Sequence, residues 1–277
     1  MLPFTQVDVF TDKLWLGNPV AVVHDAAGVT SEQMAAFARW TNLSETTFLL
    51  PATDPHADYR LRIFTPAREL PFAGHPTLGS ARAGLEAGGV PRRPEEPVQQ
   101  CGAGLIRLRR SGQRLAFAAP PLLRSGPVDD VDLARVLAAL RLSRSDVVDA
   151  QWADNGPGWL AVLLYDADAV LAVEPDRAAL VEAPNIGVVG PCSPGSDTAF
   201  EVRAFMSRAG GTEDPVTGSL NAAVGQWLIG TRRAPASYTA AQGTRLHRRG
   251  RVHVEQRDGT VWVGGNTVVG ITGTVTL

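Results

Sequence analysis

Glu45, His75, Asp214 and Ser219 are the side chains whose types and surroundings suit proton-transfer chemistry. Carboxylates and an imidazole exchange protons near neutral pH, and a hydroxyl can hold or polarise a bound group. His75 stands between a strand-like run, residues 59–65, and a helix-like run, residues 76–87. Asp214 stands between residues 200–206, again strand-like, and residues 215–229, again helix-like. Pro76 and Pro215 suit a first helical position, where a missing N–H costs nothing and φ is already set. That spacing predicts His75 and Asp214 at or beside the N-caps of two helices. Free N–H groups and the positive end of the dipole make such ends hospitable to a carboxylate.

The two junctions read alike. His75-Pro76-x-x-Gly79-Ser80 matches Asp214-Pro215-x-x-Gly218-Ser219, and upstream Arg62-x-Phe64 matches Arg203-x-Phe205. Two copies of one fold are expected; if the copies face each other, His75, Asp214 and Ser219 converge on one cleft. Two ordinary capped helices are the plainer reading of the same letters. Glu45 lies after Asn42-Leu43-Ser44, where the helical repeat of Met34, Phe37, Ala38 and Thr41 ends, and just before the apolar run 48–50. Position alone also allows a loop glutamate in solvent.

Other chemistries are poorly supplied. Cys101-Gly102-Ala103-Gly104 has no evident base to activate a thiol, and two cysteines make no disulfide framework. Lys13 is the only lysine, so Schiff-base chemistry has a single candidate. The five histidines show no metal-ligand spacing, although His247 and His253 could be argued weakly, and neither a dinucleotide fingerprint nor a P-loop is present. No metal or organic cofactor is expected.

The 277 residues, 44% hydrophobic and 19% charged, suit a soluble chain with a sizeable core. A formal net charge of −2 gives no footprint for nucleic acid or an anionic membrane. Met1-Leu2-Pro3-Phe4-Thr5-Gln6 shows no basic stretch leading into an apolar one, so a cytoplasmic protein is expected. Thr30-x-x-Gln33 has the spacing of a capping box. Strands alternate with few helices and several hairpins, which predicts a mixed α+β chain rather than a doubly wound one. Ala119-Pro120-Pro121 reads as a hinge between residues 1–118, completed by a last strand at 265–277, and residues 119–264.

Several stretches together resemble the PhzF family, the phenazine-biosynthesis isomerase-like proteins. They are Gly17-Asn18-Pro19, Asn42-Leu43-Ser44-Glu45-Thr46-Thr47-Phe48, Phe64-Thr65-Pro66, Glu69-Leu70-Pro71-Phe72-Ala73-Gly74-His75-Pro76-Thr77, Glu213-Asp214-Pro215-Val216-Thr217-Gly218-Ser219 and Gln242-Gly243. The resemblance implies a diaminopimelate-epimerase-like fold: two similar halves, each a mixed sheet or barrel around a central helix, with the active site between them. It also implies a homodimer without metal or organic cofactor, acting on a small carboxylate. Cysteine-dependent relatives of that fold racemise with two facing thiols; here the corresponding regions carry Glu45 and the 214–219 loop.

Carried over from the family, Glu45 would shuttle a proton between carbons of a dihydro-3-hydroxyanthranilate-like ring. A shuttle of that kind needs a carboxyl raised towards neutrality, which burial can supply. His75, Asp214 and Ser219 would bind and polarise the substrate, and the N–H groups of Gly74 and Gly218 would hold its carboxylate. An epimerase or dehydratase of a hydroxy-amino acid with Glu45 as single base, and a non-catalytic protein-binding member, are the alternatives. Leu246-His247-Arg248-Arg249 departs from the glycine and Arg-Pro that the family often shows after Gln242-Gly243, which leaves the substrate open.

Overall fold

The computed structural model describes residues 1–207 and 210–277 and resolves into two compact units, Met1–Ala118 with Gly264–Leu277, and Ala119–Val263. In the first unit the order is β1 (Leu2–Val9), β2 (Asn18–Val23), α1 (Ser31–Thr41), β3 (Thr46–Leu50), β4 (Tyr59–Phe64) and β5 (Glu69–Leu70). There follow α2 (Gly74–Glu86), β6 (Val98–Cys101), β7 (Gly104–Ser111) and β8 (Arg114–Ala118). The second unit holds β9 (Arg124–Pro127), α3 (Asp130–Leu140), β10 (Val147–Asp154), β11 (Trp159–Leu164), α4 (Ala167–Ala172), α5 (Arg177–Glu182) and β12 (Asn185–Pro191). It continues through β13 (Phe200–Met206), β14 (Thr212–Asp214), α6 (Gly218–Gly230), β15 (Ser237–Gln242), β16 (Gly250–Arg257) and the start of β17 (Thr260–Val275). The last stretch of β17 returns to the first unit, where it pairs antiparallel with β1 from Leu2↔Val275 to Val9↔Thr267.

One pairing scheme is used twice. In the first unit β1–β2 is antiparallel, β2–β3 parallel, β3–β4 and β4–β5 antiparallel, β4–β6 parallel and β6–β7 antiparallel. In the second, β10–β11, β11–β12, β12–β13, β13–β14, β13–β15 and β15–β16 repeat those senses in the same order. In the first unit β17 meets β1 at one edge and β8 at the other, so its strands close on themselves. The expected α+β architecture is present: each unit wraps a mixed sheet around one helix.

Those two helices are α2 and α6, each of 13 residues. Every residue from Gly74 to Ala83 of α2 is buried, and α6 is buried from Leu220 to Val224 and again at Trp227 to Ile229. A helix with strands on all sides has no solvent face, so its residues read as small and apolar rather than amphipathic. Gly79 shows how close the approach is. A Cβ there would lie 2.3 Å from Val20 Cγ1 and 3.0 Å from Val9 Cγ2. The peripheral helix α1 is built differently. Its Thr30 hydroxyl accepts from Gln33 N at 3.3 Å, the Gln33 side chain accepts from Thr30 N at 2.9 Å, and Met34 and Ala38 face the core.

Both helices start elsewhere than the prolines suggest. α2 begins at Gly74 with Ala73 as N-cap, so His75 and Pro76 are its second and third residues rather than cap and first. Proline is tolerated there for the same reason as at the first position, because first-turn N–H groups lack intrahelical acceptors. α6 begins at Gly218, four residues beyond Asp214, and its N-cap is Thr217. Asp214 is not a cap and Pro215 is not helical; Asp214 closes β14, paired with Ala204. The internal repeat therefore has a different register. Arg62 bonds Glu69 through Nε and NH2, both at 2.7 Å, and Arg203 bonds Glu213 in the same two-pronged way at 2.9 and 2.8 Å. Each guanidinium lies 5.0 Å from the ring centre of the phenylalanine two residues on, Phe64 or Phe205. These pairs align Glu69-x-Pro71-x-x-Gly74 with Glu213-x-Pro215-x-x-Gly218, and hence His75 with Ser219.

Gly79→Ala is expected to destabilise the protein by about 1–3 kcal/mol, because backbone and Val20 must part to admit one methyl group. Urea denaturation of the two proteins side by side measures it.

Candidate active site

Glu45 owes its position to the residues around it. Asn42 ends α1 in the left-handed conformation at φ 53°, its N–H bonded to Ala38 O at 3.2 Å, which turns the chain off the helix. Immediately after Glu45, Thr46 and Thr47 are fully buried. The Thr46 hydroxyl meets that of Thr41 at 2.8 Å; the Thr47 hydroxyl donates to Ala21 O at 3.2 Å and lies 2.8 Å from Ser80 Oγ on α2. The glutamate is thus pinned between a capped helix end and a buried strand. Its side chain is 15% exposed and Oε2 lies 3.4 Å from Nε2 of His75, whose side chain is 6% exposed. Glu45 is therefore not a solvent-facing loop residue.

The other ring nitrogen of His75 donates to the backbone carbonyl of Pro19. Gly17-Asn18-Pro19, a turn by sequence, is here the entrance to β2. Gly17 is required by the crowding: a Cβ would lie 2.2 Å from Val9 O and 2.8 Å from the Asp8 carboxylate, which accepts from Gly17 N at 3.1 Å. Loss of water around the buried ring drives its pKa down to about 3, and the Pro19 bond only partly opposes this. The neighbouring carboxyl pulls the other way in principle, but desolvation dominates, and His75 is neutral at pH 7. With Nδ1 carrying the proton, Nε2 turns its lone pair towards Glu45. At 3.4 Å the pair is wider than a formed N–H···O bond and spans a distance that one shared proton can close.

Gly74 and His75 supply first-turn N–H groups at the start of α2, and no side chain caps that end. The same holds at α6, where Thr217 is the N-cap but makes no capping bond, its hydroxyl donating instead to Asp214 Oδ2. The other four α-helices are all capped by a side chain: Thr30, Asp129, Asp166 and Asp176. A good cap stabilises a helix by about 1 kcal/mol. Its omission at the two buried helices alone leaves their N–H groups to some other acceptor.

In the second unit a buried network orients Asp214 and the start of α6. Gln242 Oε1 accepts from Thr217 N at 3.0 Å and from Asn221 Nδ2 at 2.8 Å. Its Nε2 donates to Thr217 Oγ1 at 2.9 Å and to Asp214 O at 3.2 Å. Ser219 is held by two residues that the sequence did not single out. Trp159 Nε1 donates to its Oγ at 3.1 Å, and Asn155 Nδ2 donates to its carbonyl at 2.8 Å. With Trp159 taking one oxygen lone pair, the Ser219 hydroxyl proton is left to point elsewhere. Asn155 sits in the Asp154-Asn155-Gly156-Pro157-Gly158 turn, whose composition marks a loop but gives no sign of its partner. The first unit thus carries Glu45, Gly74 and His75, with Glu45 and His75 brought together; the second carries Asp214 on the Gln242–Thr217 network, and Gly218 and Ser219 at the start of α6, Ser219 held by Trp159 and Asn155.

Residues 7–273 match the PhzC-PhzF family, described as phenazine biosynthesis-like protein. The chain is 37% identical to antisense-enhancing sequence 1 of Schizosaccharomyces pombe, over 98% of this chain and 97% of that one. It is 32% identical to the trans-2,3-dihydro-3-hydroxyanthranilate isomerase of Pseudomonas aeruginosa, over 95% of each. A PhzF-family crystal structure from Enterococcus faecalis superposes with a TM-score of 0.83 at 26% identity, covering 100% of this chain and 99% of the other. A probable proline racemase from Agrobacterium radiobacter shares the fold at a TM-score of 0.63 and 14% identity, covering 100% and 93%. The epimerase-like fold is thus present.

Because burial holds the His75 pKa below its ordinary 6.5, the unfolded chain binds a proton that the folded one refuses as pH falls below that value. Stability from this residue is complete above about pH 6.5 and declines on acidification. Between pH 7 and 5 the wild-type protein should lose about 2 kcal/mol more than His75→Gln. Guanidinium titrations of both proteins at the two pH values measure the difference.

Proposed function

The chain belongs to the PhzC-PhzF family, and from that premise we propose an isomerase that moves a proton across a small cyclic or amino-acid-like carboxylate, with Glu45 as the shuttle. The buried Glu45–His75 pair carries the reading: a carboxyl and a neutral imidazole 3.4 Å apart, beside an uncapped helix end. Glu45 takes a proton from one carbon, and the C–H electron pair moves into the adjoining double-bond system. The same carboxyl returns the proton at the far end of that system. Substrate and product are isomers, so the cycle consumes no oxidant or co-reactant.

In this reading the Nε2 lone pair of His75 accepts from the Glu45 carboxyl while it carries the proton, then releases it to the product carbon. The pair is oriented throughout by the Pro19 carbonyl. Asp214 accepts from substrate amino or hydroxyl groups, and Ser219, its oxygen engaged by Trp159, donates to an oxygen of the substrate. The first-turn N–H groups at Gly74 and Gly218 hold the carboxylate. No residue assignment calls for a metal or organic cofactor. A homodimer in the cytoplasm completes the proposal. Its support is the family resemblance together with the observation that no described helix is long and apolar enough to cross a membrane.

The test is proton NMR of trans-2,3-dihydro-3-hydroxyanthranilate with the enzyme in heavy water. Loss of substrate signals with deuterium incorporation is expected, and Glu45→Gln should slow it by about 10²–10⁴-fold with little change in KM. Full turnover by Glu45→Gln would remove the shuttle. Exchange at a single carbon that inverts it would mark an epimerase, and loss of water a dehydratase.

A further inference from the structure

The first unit contains a cavity of about 360 Å3, within the range of small-molecule sites. It lies along the second half of α2, from Ser80 to Leu85, and neither Glu45, Gly74 nor His75 lines it. At 1.5 Å per residue, the nearest lining residue of α2, Ser80, is about 8 Å of helix from His75 and Gly84 about 14 Å, so a ligand seated at Gly84 lies well beyond His75.

Gly84 is the informative residue. Glycine inside a helix is unfavourable by roughly 0.5–1 kcal/mol relative to alanine, and elsewhere on α2 crowding explains it, as at Gly79. At Gly84 a Cβ would find only Leu49 Cδ1, at 4.0 Å. Packing within the protein does not exclude a side chain there; what a side chain would fill is the cavity. Leu49, Leu50, Leu85 and Val90 give the space apolar walls.

Its polar side chains are His24, Tyr59, Ser80 and two carboxylates, Asp25 and Asp58. The His24 ring, kept neutral by burial, meets Thr5 Oγ1 at 2.9 Å through Nε2. The Tyr59 hydroxyl donates to Gln99 Oε1 at 3.2 Å, which leaves its oxygen as an acceptor. Asp58 is neutralised by an ion pair with Arg92, whose Nε lies 3.3 Å from Oδ1, and also accepts from Arg92 N at 3.0 Å and Val98 N at 2.7 Å, while Asp25 is exposed at the rim. No lysine or arginine lines the cavity. With Asp58 paired to Arg92, Asp25 at the rim is the carboxylate the cavity leaves for a ligand, and it suits one that brings donors and positive charge and disfavours an anion.

We propose that this cavity binds a small aromatic amine, with its ring against Leu49, Leu50 and Gly84 and its ammonium towards Asp25. This second site has a charge preference opposite to that of the carboxylate site at the helix N-termini, and it does not rest on the catalytic reading.

Benzylamine and benzoate, one ring with opposite charges, are the probes. Titrated into isotopically labelled protein, benzylamine should shift the amide signals of Leu49, Gly84 and Leu85, with a dissociation constant on the order of 1 mM. Benzoate should leave those signals at least about tenfold less responsive. Gly84→Leu should weaken benzylamine binding at least about tenfold while unfolding at an equal or higher temperature. If that variant does not fold, Gly84→Ala, which adds one methyl, should weaken binding and raise the melting temperature. Equal response to both probes, shifts centred on Gly74 and His75, no response to benzylamine, or full binding by the glycine variants would each overturn the proposal.

Discussion

The two enclosed helices reach exposed residues in their last turns, but their first turns, at Gly74–His75 and Thr217–Gly218, are buried. That condition governs most of what is distinctive in this chain. Water satisfies the first N–H groups of an ordinary helix for nothing, and α1 and α3 add a side-chain cap to that. At α2 and α6 neither solution is used. Polar side chains gather next to these ends instead: Glu45 and His75 in one unit, Asp214 and Ser219 in the other. Burial then acts again, stripping water from the imidazole so that it stays neutral at physiological pH, a lone pair facing the carboxyl.

The two units solve one geometric problem with the same parts. In each, an arginine on a central strand reaches a glutamate on the next short strand, covers a phenylalanine, and is followed by a proline and the glycine that opens the helix. Arg203 sits deeper than Arg62, with side chains 4% and 18% exposed, and also donates to Val173 O at 2.6 Å. A buried ion pair gains little net stability, yet losing one partner strands a charge. The pair is therefore better understood as fixing where the short strand ends, and with it the start of the helix.

Much of this was legible in the letters. Glu45, His75, Asp214 and Ser219 stood out because carboxylates and hydroxyls at junctions between regular elements have few structural reasons to be there. The doubling was legible too, but in the wrong register. Proline does not by itself mark the first helical residue, because any of the first four N–H groups can be dispensed with, so Pro76 sits at the third position and Pro215 before the helix altogether. The shared Gly-Ser of the two junctions was a coincidence of letters; the Arg–Glu pairs set the true alignment. Trp159 and Asn155 were invisible because their partner is about sixty residues further along the chain. Pro19 contributes through its carbonyl, which no side-chain pattern can reveal.

The strand β17 has a consequence for how the protein is made. Its sixteen residues run from one unit into the other, and the part that pairs with β1 is synthesised only after the whole of the second unit. Residues 119–263 are contiguous and can collapse while synthesis continues. The first unit, although translated first, must wait with the β1 edge unpaired until residues 264–277 appear. An unpaired strand edge is a template for association with other chains. Nascent copies are therefore most exposed to aggregation while the second unit is being made, and deletions within residues 264–277 should harm the portion of the fold encoded farthest from them.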